Sequence, residues 1–242
     1  MTRPPYLPSR RMPLVAMVVV TLWLSGCASL AEQQDEAGPT EAFTELGMAY
    51  LQRGNLPRAM AALNRALERD PDDPEALQAM AIVYQRQGER EQADKMFQRA
   101  LAVDSDNSRA RNNYAAFLYE YGQVRRACEQ LELASRDTRY ANRAQLFANL
   151  GQCQWDIGEI GEARHSLERA RSLDPRNPRS YFTLAALELA QGNPDLARQQ
   201  LEIFVGLAGM TPDARTLAQQ IAAANAQNMT VTPGTDTQRD AP

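Results

Sequence analysis

The side chains best suited to binding or catalysis in this chain lie in one short segment, Asn112 to Gly122 (NNYAAFLYEYG). Its two asparagines and three tyrosines could form a binding surface or include a catalytic phenol. A catalytic tyrosine needs a base or an electrophile nearby, and the sequence offers no candidate. The chain's one histidine, His165, lies between Glu162 and Glu168 at helical spacing, as expected on a helix surface. No Ser/His/Asp grouping, phosphate loop or metal-ligand spacing is present in the sequence, so we expect no catalysis, metal or cofactor.

The N-terminus has the features of an export signal. Arg3, Arg10 and Arg11 precede an apolar run at residues 14–24 (LVAMVVVTLWL), which is too short to span a bilayer comfortably. LSGC follows and resembles the lipobox of bacterial lipoproteins. The resemblance implies that residues 1–26 are removed and that Cys27 carries acyl chains. The alternatives are a plain secretory signal with a chance cysteine and, less well matched, twin-arginine export.

Two further features bear on location and partners. Residue 28 is Ala and not Asp, which by the same resemblance favours the outer membrane over the inner one, with the protein facing the periplasm. The chain has 26 basic and 30 acidic residues, and removing the three signal arginines leaves 23 against 30, or −7. A mildly acidic body with scattered arginines argues against nucleic acid as a partner. No small-molecule substrate is indicated.

The body of the chain is repetitive, with a period of about 34 residues. Similar segments begin at Leu46, Met80, Tyr114, Leu150 and Leu184. Each is followed by a glycine at a fixed offset: Gly54, Gly88, Gly122, Gly158 and Gly192. An alanine and then a large apolar residue follow in every unit: Ala59 and Leu63, Ala93 and Phe97, Ala127 and Leu131, Ala163 and Leu167, Ala197 and Leu201.

This pattern resembles the tetratricopeptide repeat (TPR) and predicts an all-α fold, a right-handed solenoid of helix-turn-helix units. Small residues allow the two helices of a unit to pack closely, and prolines such as Pro74 and Pro178 begin first helices. We expect a tether at 27–39, repeats at about 40–73, 74–107, 108–143, 144–177 and 178–211, and a capping helix at 212–227. Residues 228–242 lack apolar periodicity and are expected to be disordered.

Cys128 and Cys153 fall on neighbouring helices of such a stack, the second helix of unit three and the first helix of unit four. In an oxidising periplasm this even pair could form a disulfide. The alternative is two buried free thiols, because cysteine also packs well as a small apolar residue.

In a TPR stack the first helices line a concave groove, into which positions 2, 5, 9 and 12 of each unit point. A mixture of apolar residues and amides at these positions suits an extended segment or a helix of a partner protein. The residues predicted to line the groove are Met48, Leu51, Ile82, Gln85, Asn112, Tyr119, Gln152 and Trp155. Some of them could instead pack against neighbouring first helices.

Two segments carry a more specific resemblance, NNYAAFLYEYG and ASRDTRYANRAQLFANLGQC (Ala134 to Cys153). Together with the lipobox and the repeats, they are similar to the PilF/PilW lipoproteins of type IV pilus biogenesis. The matching residues are Asn112, Asn113, Tyr114, Phe117, Leu118, Ala134, Asp137, Tyr140, Asn149, Gly151 and Cys153. Ala115 stands where the family motif has glycine, and Tyr119 stands where cysteine is frequent; if the family pairs that cysteine with Cys153, Cys128 would replace it here.

The resemblance implies a pilotin, an outer-membrane lipoprotein that binds secretin subunits and promotes their placement and multimerisation. The alternative is a general periplasmic TPR adaptor that scaffolds cell-envelope enzymes or assembly factors. Both are protein-binding roles.

Overall fold

The computed structural model describes residues 38–231, which form eleven α-helices and no strand. The predicted signal peptide, Cys27, most of the tether and residues 232–242 lie outside this range. The helices are α1 Pro39–Gln52, α2 Leu56–Arg69, α3 Pro74–Gln87, α4 Arg90–Val103, α5 Ser108–Glu120, α6 Val124–Ser135, α7 Arg143–Asp156, α8 Ile160–Leu173, α9 Pro178–Ala190, α10 Pro194–Ala208 and α11 Pro212–Val231.

The helices pack as five consecutive pairs, α1/α2 to α9/α10, followed by α11. The TPR solenoid predicted from the sequence is therefore confirmed. Helix starts follow from local chemistry: the Asp73 side chain accepts hydrogen bonds from the amides of Glu75 and Ala76, and Pro74 lies in the first turn, where its missing donor is harmless. The turn within each pair requires a positive φ, which glycine adopts at low cost; Gly88, at the end of α3, has φ 79°.

The core forms where the small residue of a first helix meets the large residue of its second helix. A Cβ atom added to Gly151 would lie 2.5 Å from Cγ of Leu167, and one added to Gly47 would meet Leu63 at the same distance. Between units two and three, an aromatic cluster packs Phe97 of α4 against Tyr114 and Phe117 of α5, with ring centroids 5.3 to 6.1 Å apart. Close packing of small against large residues thus holds each pair together.

The connection between units three and four is longer than the others, running from residue 136 to residue 142. Asp137 anchors it to the preceding unit by accepting a hydrogen bond from the Ser108 hydroxyl at 3.0 Å. The Arg139 amide, followed by that hydroxyl, holds the pKa of Asp137 below its ordinary value.

The last helix ends later than predicted. α11 extends to Val231, four residues beyond the expected end of the cap at residue 227. Apolar periodicity, which is lost after residue 227, indicates which face of a helix is buried, whereas a helix continues until a residue breaks it. Pro233 is the first proline after Pro212, and the residue before a proline is biased away from helical conformation.

Candidate functional site: the concave groove

A small cavity opens on the concave face between the first helices of units three and four. Its volume is about 180 Å³, and it is lined by Ala115, Ala116, Tyr119, Leu131, Asn149, Gln152 and Arg179. α5 and α7 approach each other less closely than α1 and α3 do. α7 packs instead against α6, to which a disulfide between Cys128 and Cys153 joins it, with Cα atoms 5.7 Å apart. Both cysteines are buried.

A hydrogen-bonded group centred on Asp156 forms one rim of the cavity. The Tyr119 hydroxyl on α5 donates to one carboxylate oxygen of Asp156 on α7. The Gln152 amide donates to the other at 3.0 Å, and the Gln152 carbonyl accepts from Thr183 on α9 at 3.5 Å. Burial, followed by the hydrogen bond to Asp156, raises the pKa of Tyr119 to about 12. The phenol therefore remains a neutral donor throughout the physiological range.

A chain of amides spans the same two helices about two turns earlier. The Asn149 amide group donates to the carbonyl oxygen of Asn112 at 3.2 Å, and the Asn149 carbonyl accepts from Gln145 at 2.9 Å. Asn112 was predicted to be a groove contact, and this hydrogen bond joins it to Asn149 on the neighbouring first helix. Each of these amide side chains retains donors or acceptors beyond the bonds described.

Arg179, the first-turn arginine of α9, provides positive charge at this cavity. Its side chain is exposed, and within residues 38–231 its guanidinium makes no hydrogen bond or ion pair. The cavity thus combines an apolar base, at Ala115 and Leu131, with a neutral phenol, amides and an open cation. This combination can bind a peptide segment through side-chain burial, backbone hydrogen bonds and one acidic group.

The other predicted groove residues fall into two groups. Met48, Ile82 and Trp155 are partly buried, each packed against a core cluster, and Gln85 donates to Glu120 at 2.6 Å. Leu51 does not reach the groove at all. Only 6% of it is exposed, because it packs in the core of unit one beside Ala59 and Leu63.

The other side chains that the sequence offered for chemistry have structural roles or no visible role. Tyr114 is buried, and its hydroxyl donates to Asp94 at 2.6 Å and accepts from Arg126 at 2.7 Å. It therefore ties α4, α5 and α6 together. Burial is the main cause that raises the pKa of Tyr114 above its ordinary value. His165 is exposed on α8. Within the described chain no cluster of metal-ligating residues occurs, and none of its helices is both long and apolar enough to cross a membrane.

Asp156 and Arg179 shape this site but were not among the predicted contacts. Asp156 follows Trp155 at position 13 of unit four, outside the four groove positions of each unit. Its role depends on a hydrogen bond from the Tyr119 hydroxyl on the neighbouring first helix, α5. Arg179 does occupy position 2 of unit five. Position 2 is one of the four positions predicted to point into the groove, so the repeat pattern itself indicates Arg179.

Comparison with known proteins identifies the family. Models of the tetratricopeptide repeat match residues 76–111 and 148–215, and a TPR repeat model matches 47–88. The type IV pilus assembly protein PilF of Pseudomonas aeruginosa is 35% identical over 207 residues, which cover 82% of this chain and 81% of that protein. The chain belongs to the PilF/PilW family.

Solved structures agree with this assignment. The structure of P. aeruginosa PilF has a TM-score of 0.71 and 33% identity, covering 83% of this chain and 94% of that one. The crystal structure of PilW, described as a widely conserved type IV pilus biogenesis factor, has a TM-score of 0.67 at 23% identity, covering 79% and 92%, and supports the fold. As a PilF/PilW protein, the chain has a role in type IV pilus assembly, and its TPR scaffold is of the protein-interaction kind.

Proposed function

We propose that this PilF/PilW protein is an outer-membrane lipoprotein that binds secretin subunits in its concave groove. Binding would place the subunits at the outer membrane and promote their multimerisation, without catalysis. The single observation that carries the partner-binding part is the open cavity between α5 and α7, where Tyr119, Gln152 and Arg179 surround an apolar base. Such a site suits a protein segment better than a small substrate, because its polar groups lie along an open groove.

The anchor is the second part of the proposal and rests on LSGC. Acylation at Cys27 would tether the solenoid through residues 28–38, a span of at most about 40 Å when extended. More than one acyl chain gives stable anchoring, whereas a single chain is marginal. The protein would thus hold its groove close to the membrane that receives the secretin ring.

The groove can be tested with a matched pair of alanine substitutions. Ala116 lines the cavity and is exposed, so Ala116→Arg fills the space without removing a core contact. Ala102 is also exposed, but it lies on α4, which is the second helix of unit two and does not line the cavity. Ala102→Arg therefore adds the same charge and bulk elsewhere. Arginine is a good helix former, so both variants should fold.

We expect Ala116→Arg to weaken binding to the purified periplasmic region of the secretin at least tenfold in calorimetry, with Ala102→Arg unchanged. Tenfold corresponds to about 1.4 kcal/mol, a modest loss for one blocked pocket. Equal affinities for the two variants, with matching circular dichroism, would place the partner on another face. Binding of envelope enzymes in place of the secretin would favour the adaptor role.

A further inference from the structure

The end of the solenoid contains a second groove, which lies between α10 and α11. It encloses about 510 Å³ and is lined by Arg198, Leu201, Glu202, Val205, Met210, Ala218, Ile221, Ala222 and Asn225. Most of these side chains are apolar, and the groove is separate from the concave cavity between α5 and α7.

α11 is built as the first helix of a sixth repeat. It packs on α10 and α9, as earlier first helices pack on the preceding unit. Ala214, Leu217 and Ile221 are buried at the spacing of Tyr181, Leu184 and Glu188 in α9. Ala218 lies 33 residues after Ala185, one fewer than the usual 34, which explains why the sixth unit is out of register in the sequence.

The five complete pairs show what normally covers this face. The small residue of each first helix is buried beneath the large residue of its second helix, as Gly151 is beneath Leu167. Ala185, the equivalent residue in unit five, is 0% exposed. Ala218 is only partly buried and Ala222 is exposed, because no second helix covers them within the described residues. The groove is therefore the space that a second helix would fill.

Residues 232–242, which follow α11, do not have the sequence of such a helix. They contain Pro233 and Gly234 and no Leu, Ile, Val, Met or Phe. Four of the five second helices share an alanine, a large apolar residue four positions later and an alanine three positions after that, as with Ala59, Leu63 and Ala66 in α2; in α10, Phe204 replaces the last alanine. An occupant with this pattern has to come from outside this segment.

The charged side chains at this groove indicate the charge that a helix bound there should carry. Arg198 is already paired with Asp195 at 2.9 Å. Glu202 lines the groove and has no ion pair within residues 38–231. The unpaired charge is negative, so a basic helix fits better than an acidic one.

We propose that this groove binds an amphipathic, basic α-helix of a partner protein, which completes the sixth repeat in trans. The helix packs a large apolar side chain over Ala218 and small residues on either side, and places a lysine or arginine toward Glu202. This site is distinct from the concave groove, so its occupation does not depend on secretin binding there.

The probe for this test is the protein's own second-helix sequence as a free peptide. Residues 56–69 (LPRAMAALNRALER), acetylated and amidated, carry Ala59, Leu63 and Ala66 together with three arginines and one glutamate. A peptide of this length is a marginal helix alone, so we expect a dissociation constant in the range of about 0.1 to 1 mM. Fluorescence anisotropy of a labelled peptide measures it, and the Leu63→Glu peptide is the negative control.

Two neighbouring alanines of α11 give matched protein variants. Ala222 lines the groove, whereas Ala223 is exposed on another face of the same helix. Ala222→Arg should weaken peptide binding at least tenfold, and Ala223→Arg should leave it unchanged. Glu202→Gln should weaken it two- to fivefold, with the difference shrinking at high salt.

Peptide-induced NMR shifts in the wild-type protein locate the binding site without any substitution. We expect them at Val205, Ala218, Ala222 and Asn225. Shifts elsewhere, no binding to the wild type, or equal binding by Ala222→Arg would overturn the proposal. So would a concentration-dependent dimer that Ala222→Arg dissociates, because a second copy would then be the occupant.

Discussion

Tyr119 connects the two first helices that border the concave cavity, because its hydroxyl on α5 donates to Asp156 on α7. Tyr119 is 39% exposed, so solvent screening brings the net contribution of this bond down to that of an ordinary neutral hydrogen bond. Its importance is positional. It fixes the phenol at the mouth of the cavity as a neutral donor.

The raised pKa of Tyr119 predicts a specific pH dependence. The pKa is about 12 in the folded protein and about 10 unfolded, so the stabilisation is complete below pH 10 and is lost as the pH rises toward 12. Tyr119→Phe should lower the free energy of unfolding by about 0.5–1 kcal/mol at pH 7, and this difference should shrink above pH 10. Urea unfolding at both pH values measures it.

Asp156→Asn provides the control for that interpretation. Without the carboxylate the pKa of Tyr119 should fall part of the way toward 10, because burial, the larger cause of the shift, remains. Absorbance at 295 nm reports this change when the signal of Tyr119→Phe is subtracted. A Tyr119 titration unchanged by the substitution would show that Asp156 does not hold the phenol.

Helix pairing depends on the small residue in each first helix, and unit four offers a matched test of this. Gly151 is covered by Leu167, so a methyl group there collides with Cγ and with the Ala163 carbonyl, 3.0 Å away. Gly151→Ala should destabilise the protein by about 1–3 kcal/mol. Gly161 in α8 faces open space, and Gly161→Ala should instead stabilise it by about 0.5–1 kcal/mol. Thermal unfolding distinguishes the two, and equal effects would contradict the packing described here.

The disulfide between Cys128 and Cys153 links two helices of neighbouring units, α6 and α7. We propose that the periplasmic protein carries it. A closed loop of 25 residues corresponds to about 3–4 kcal/mol in the chain-entropy account, so the Cys128→Ala/Cys153→Ala variant should be less stable by a similar amount. Mass spectrometry after alkylation without reductant tests the bond directly; two alkylated thiols would exclude it.

Helix pairs were predictable from the sequence, whereas contacts between them were only partly so. Pro74 and Pro178 start helices for local chemical reasons, and Gly88 ends one in the same way, so periodicity and composition were enough. The Tyr119–Asp156 bond depends on how α5 and α7 are placed, which the repeat period does not encode. Leu51 shows the same limit: its position in the repeat indicated the groove, but its apolar side chain packs in the core of unit one.

At the scale of the whole molecule, the anchor and the groove make separate contributions to the proposed role. Cys27→Ser would prevent acylation while leaving residues 38–231 untouched. We expect this variant to leave the outer-membrane fraction for the soluble periplasmic fraction and to retain secretin binding in vitro. Membrane fractionation with immunoblotting measures the location of the variant. Its persistence in the outer membrane would contradict lipid anchoring at Cys27.

The central claim is that the concave groove promotes secretin assembly, and secretin multimers in cells report on it most directly. In a strain lacking the wild-type gene, the level of secretin multimer would be measured after expression of Ala116→Arg or Ala102→Arg at equal abundance. We predict that Ala102→Arg restores multimers and surface pili and that Ala116→Arg leaves both strongly reduced. Full restoration by Ala116→Arg would contradict the account.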